Sequence, residues 1–87
     1  MKIFKYTITP ADHFELELPI GAQILTVQTQ YGVPCIWCLV NPNLSTEIRR
    51  FRMAGTGHPI NEDFTLIYIG TFQMSGGQLI FHLFEMT

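Results

Sequence analysis

Apolar and polar residues alternate with a period of two along most of the chain, and no window of a dozen residues sustains a helical period. The pattern predicts an all-β protein. Lys2 to Thr9 places Phe4, Tyr6 and Ile8 on one face, and Phe14 to Leu18 turns Phe14, Leu16 and Leu18 inward with Glu15 and Glu17 outward. Pro19-Ile20-Gly21-Ala22 has the composition of a tight turn with glycine at positive φ. Gln23 to Tyr31 follows, with Leu25, Val27 and Tyr31 expected inward. Thr26, Gln28 and Gln30 form a polar row on its other face, either a solvated surface or the lining of a groove. Gly32-Val33-Pro34 turns into Cys35 to Val40, which is apolar on both faces and so expected at a sheet centre or beneath a partner subunit. Asn41-Pro42-Asn43 ends that strand, and Thr46 to Met53 forms the next. Gly55 to Asp63 is a loop, and Phe64 to Gln73 with Gln78 to Phe84 make a hairpin around Ser75-Gly76-Gly77. Seven short, mainly antiparallel strands over residues 1–87 imply a single small β-sandwich or barrel.

Composition adds a question of assembly. Charged residues are 14% of the 87-residue chain and hydrophobic residues 47%, whereas an average soluble domain carries about 25% charge. The surplus apolar surface points to a homo-oligomer; the alternative is a greasy monomer. A net charge of −2 gives no footprint for a DNA or RNA polymer, which needs many cations along one face. No run has the length of a signal peptide or a membrane span, so a cytoplasmic protein without membrane association is expected. Cys35 and Cys38 have the spacing of a redox or half-zinc motif, but three residues apart on a strand they face opposite sides. Two free buried thiols are the expectation, with no metal and no cofactor.

The basic residues are concentrated where a ligand would want them. Arg49, Arg50 and Arg52 supply three of the five Lys and Arg residues, just before Gly55-Thr56-Gly57-His58-Pro59. A guanidinium fork suits phosphate or carboxylate, and a glycine-rich turn lets backbone N–H groups approach an anion. Arg50 and Arg52 share a strand face at about 6–7 Å between Cα atoms, while Arg49 points the other way. The competing role is pairing with Glu15, Glu17 or Glu47, or charge placed on an edge strand. Thr56, Gly57 and His58 add a hydroxyl, backbone donors and an imidazole; the competing role is a plain connection. Trp37, Tyr68, Phe72 and Phe81 have rings that stack on a base or fill a core, and Gln73 at its strand end suits a base or ribose edge. His82, between Phe81 and Leu83, is expected to be structural or to face a subunit partner. No nucleophile with a base, and no poised pair of carboxylates, marks an enzyme.

The stretches Phe51-Arg52, Gly55-Thr56-Gly57-His58-Pro59-Ile60, Tyr68-Ile69-Gly70-Thr71-Phe72-Gln73 and Phe81-His82-Leu83-Phe84-Glu85 resemble a family of small phage and prophage proteins of unknown function. Ile24-Leu25-Thr26-Val27-Gln28 and Pro34-Cys35-Ile36-Trp37 extend the likeness over nearly the whole chain. The family brings no catalytic residue with it. Its phage context implies a likeness to sponge proteins, oligomers that sequester cyclic-nucleotide or cyclic ADP-ribose-like immune signals in the infected host without turnover. The expected ligand set is Arg50, Arg52, Thr56, Gly57, His58, Trp37, Phe72 and Gln73. A protein-interaction or assembly module that inhibits a host or phage protein is the other class open to this sequence.

Overall fold

Among residues 1–61, 63 and 65–87, which the computed structural model describes, seven strands form. They are β1 (Lys2–Thr7), β2 (His13–Pro19), β3 (Gln23–Gln30), β4 (Val33–Val40), β5 (Thr46–Gly55), β6 (Leu66–Met74) and β7 (Leu79–Met86). Two antiparallel sheets result, ordered β1-β4-β3 and β2-β5-β7-β6. The molecule is thus a sandwich and not a closed barrel. No α-helix occurs among the described residues, and so none is long and apolar enough to cross a membrane. Phe64, expected to begin the hairpin strand, lies outside the described residues, as does Glu62 of the preceding loop.

Alternation fills the space between the sheets. Val27, Ile36, Cys38 and Val40 from one sheet meet Leu18, Phe51, Met53, Phe72 and Leu83 from the other. Each large side chain so buried stabilises the fold by about 1.5–3 kcal/mol. Phe14 stacks on Phe51 at 5.1 Å between ring centroids, and Phe72 packs on Phe81 at 5.8 Å. β4 is central in its sheet, as its two apolar faces require. Register puts Cys38 on the core face beside Phe4 and Ile24, and Cys35 on the outer face between Thr7 and Gln28. Both thiols are free and buried, and burial pushes the Cys38 thiol up to about 11.

Three expectations need correction. β1 ends at Thr7, not Thr9, because Pro10 removes a donor; Ile8 remains buried, its N–H bonded to the Pro34 carbonyl. In β3 a bulge between Ile24 and Thr26 inserts Leu25 as an extra residue, which shifts the alternation by one. Ile24 therefore packs on the core and Leu25 is exposed. Tyr31 does not face inward: with φ of 51° before Gly32 at 78°, it occupies a two-residue hairpin turn and is 99% exposed.

The flank formed by β3 and β6 is sealed more tightly than a side chain would allow. A Cβ on Gly70, beside a second bulge, would stand 2.8 Å from Val27 Cγ1. Glycine here lets the edge of one sheet close on the edge of the other.

Candidate functional site

Register sorts the three neighbouring arginines into three environments. Arg49 shares the inward face of β5 with Phe51 and Met53, at the end of the core. Its Nε donates to Glu85 Oε2 at 2.6 Å, Nη2 to Glu85 Oε1 at 2.8 Å, and Nη1 to the Ala22 carbonyl. The hydrogen bonds to Glu85 hold the guanidinium above its usual range, against the opposing effect of burial. Arg49 thereby ties β5 and β7 to the residue that leads into β3.

Arg52 faces outward as expected but is only 8% exposed. Nη1 donates to the Asp12 and Met53 carbonyls and Nη2 to the Pro59 carbonyl. It holds down the segments on either side of β5, so its donors are directed into the protein. Arg50 lies on the same outer face, exposed, opposite Glu15 and Met86. It borders an open hollow of about 490 Å³ that also takes in Arg49 and Glu85. The expected two-arginine clamp is therefore not assembled.

The Gly55–His58 segment is a tight turn closed by the His58 N–H on the Gly55 carbonyl, at 3.1 Å. Gly57, with φ of 84° at the third position, meets the requirement of a type II turn. The imidazole of His58 lies over Gly55, where a Cβ would come within 3.0 Å of Nδ1. Thr56, His58, Gln78 and Phe81 line a cleft of about 230 Å³ beside this turn.

Next to the cleft runs a row of hydrogen-bonded side chains on the outer face of the four-stranded sheet. Thr56 Oγ1 is 2.7 Å from His82 Nε2, His82 Nδ1 is 2.9 Å from Thr71 Oγ1, and Thr71 Oγ1 is 2.6 Å from the Tyr68 hydroxyl. Thr71 and His82 are direct cross-strand partners, with Ala54 on the far side of His82. Tyr68 also meets Phe84 edge to face at 5.7 Å.

The sequence set is thus divided by the fold. Thr56, Gly57 and His58 stand together, and Gln73 is on the same sheet face, opposite Ile80. Arg50 is on that face too, but six residues from Thr56 along β5, a separation of about 20 Å. Phe72 is 4% exposed and belongs to the core, which removes it from base stacking. Trp37 lies on the outer face of the other sheet, between Lys5 and Thr26. His82 and Thr71 were absent from the sequence set. Hairpin register carried the signal: a turn at Ser75-Gly76-Gly77 that pairs Met74 with Leu79 also pairs Thr71 with His82.

Among the described residues no group of three or more His, Cys, Asp or Glu gathers as a metal site. The chain belongs to the family described as Domain of unknown function (DUF7352), whose model matches residues 1–87. No curated protein and no solved structure matches the chain.

Proposed function

We propose that this member of the family is a non-catalytic binding protein that captures a small anionic nucleotide on the outer face of its four-stranded sheet. The observation that carries the reading is the hydrogen-bonded row Thr56–His82–Thr71–Tyr68 beside the His58 cleft. The strand positions around it, Arg52, Ala54, Gln73, Ile80 and Phe84, include no carboxylate. Hydroxyl, imidazole and amide groups match phosphate and ribose oxygens. The third member, Thr71, is neutral where a general-base histidine ordinarily has a carboxylate to stabilise the imidazolium, which favours retention over turnover.

A shallow monomer site holds ligand weakly unless something closes over it, and tight capture rests on enclosure and preorganisation. Ile48, Tyr68 and Ile80 are exposed on this face, so a second copy of the chain is the proposed cover. In the phage setting that the sequence resemblance implies, such capture would withdraw an immune signal from the infected cell.

The test is to incubate purified protein with cyclic dinucleotides, cyclic trinucleotides and cyclic ADP-ribose isomers, remove free ligand, denature by heat and identify what is released by mass spectrometry. Intact nucleotide in proportion to subunits is expected, lost in His82→Ala. Release of only a breakdown product overturns non-catalytic capture. Release of nothing favours a protein-interaction module, for which Ile3 and Val33, exposed on the outer face of the other sheet that also carries Trp37, are the supporting observation.

A further inference from the structure

The row of side chains has an arithmetic of its own. Tyr68, Thr71 and Thr56 each bring one hydroxyl proton, and a neutral imidazole brings one N–H, making four protons for three contacts. One donor is left over, and the tautomer of His82 decides where it lies. With the proton on Nε2, His82 donates to Thr56, Thr71 donates to Nδ1 and Tyr68 donates to Thr71, so the Thr56 hydroxyl is free to donate outward. With the proton on Nδ1, every bond reverses and the free donor is the Tyr68 hydroxyl. The two ends are therefore complementary: when one offers a proton, the other offers a lone pair.

Only the Thr56 end adjoins the turn and the His58 cleft. An oxyanion placed there accepts from Thr56 and is next to Gly57, whose lack of a side chain allows close approach. We infer that the row is a directional relay that seats a phosphate oxygen at Thr56, fixes His82 as the Nε2–H tautomer, and presents Tyr68 as an acceptor for a donor on the same ligand. This rests on the nucleotide-capture reading and narrows it. The ligand class is a phosphate ester that also carries an N–H or O–H donor, such as the exocyclic amine of a purine or a ribose hydroxyl. A doubly acceptor ligand, such as a bare diphosphate, is disfavoured because one end of a neutral row always presents a lone pair.

Long-range proton–nitrogen correlation spectra of histidine-labelled protein test this with two probes, adenosine monophosphate and inorganic pyrophosphate. The expected result is that adenosine monophosphate drives the His82 ring to the Nε2–H pattern. Thr71→Val, which removes the Nδ1 donor and keeps the shape, abolishes that preference. Adenosine monophosphate is expected to bind at least tenfold more tightly than pyrophosphate, and Tyr68→Phe to remove most of the difference. An Nδ1–H pattern in the complex, or ring nitrogens that do not respond to adenosine monophosphate, overturns the relay. Nucleotide released intact from His82→Gln and Thr56→Val at the wild-type ratio also overturns it while leaving capture itself standing. Failure of the wild type to retain any nucleotide removes the reading beneath it.

Discussion

Removing either partner of the Arg49–Glu85 pair should cost more stability than any surface ion pair of this protein. The side chains are 17% and 14% exposed, so the pair is neither screened like a surface bridge nor fully desolvated. Exposed pairs are worth about 0–1 kcal/mol and breaking a buried one costs about 3–5 kcal/mol; an intermediate loss of about 2–3 kcal/mol is expected for Glu85→Gln or Arg49→Met. Glu85→Gln leaves a confined guanidinium without its counter-charge, and Arg49→Met leaves both Glu85 oxygens and the Ala22 carbonyl without their donor. For a domain of this size the urea m-value is about 1 kcal/mol/M, so the unfolding midpoint should fall by about 2–3 M with m unchanged. The double variant Arg49→Met, Glu85→Leu replaces the charges by apolar groups of similar volume and should recover to within about 1 kcal/mol of wild type. Arg50→Ala, one residue away, should move the midpoint by less than about 0.5 M. Single variants that each cost under about 0.5 kcal/mol, or a double variant that loses their full sum, would refute the account of Arg49–Glu85 as a confined ion pair.

The Tyr31 turn and the alkaline limb give two further tests. Tyr31→Asn places a residue suited to positive φ in the two-residue turn before Gly32 and should stabilise by about 1 kcal/mol in thermal or urea melts; a loss would mean the exposed ring contributes to the fold. The Cys38 thiol is pushed up from 9.0 to about 11, so the folded state holds its proton longer than the unfolded chain does. That stability is complete below pH 9 and falls between pH 9 and 11, by about 2–3 kcal/mol in all. Burial raises Tyr6 as well, with the same sign. Cys38→Val should flatten most of this alkaline decline in urea titrations; an unchanged slope would assign it elsewhere. The wild-type thiol should resist alkylation at pH 8 until the protein is unfolded.

Strand positions were legible because a period of two survives in sequence wherever one face is buried, as in β2 and in Arg50-Phe51-Arg52-Met53 of β5, while β4 was legible as an unbroken apolar run. It failed at Leu25, where a bulge reverses the alternation without a glycine or proline to announce it. The roles of the arginines were half legible. Alternation separated Arg49 from Arg50 and Arg52 but gave no sign that Glu85, far along the chain, closes on Arg49, or that carbonyls of two loops occupy Arg52. Phe72 was indistinguishable from a stacking ring until the Phe81 contact placed it between the sheets. Thr56 and His58 were legible by composition. The partner of Thr56, His82, was concealed by its apolar neighbours, although the register of one hairpin contained it.

The order of the strands bears on how the site comes into being. Of the five strand pairings among the described residues, only β3–β4 and β6–β7 join neighbours in sequence, and isolated hairpins of this kind form in about 1–10 μs. The pairings β1–β4 and β2–β5 must close long stretches of chain, which places the whole domain among slow-folding, high contact-order topologies. Thr71 and His82 meet within the early hairpin, whereas Thr56 arrives only when β5 docks on β7. Half of the hydrogen-bonded row is thus assembled locally and the remainder waits for the sandwich to close, so the proposed capture at Thr56 would report completion of the fold.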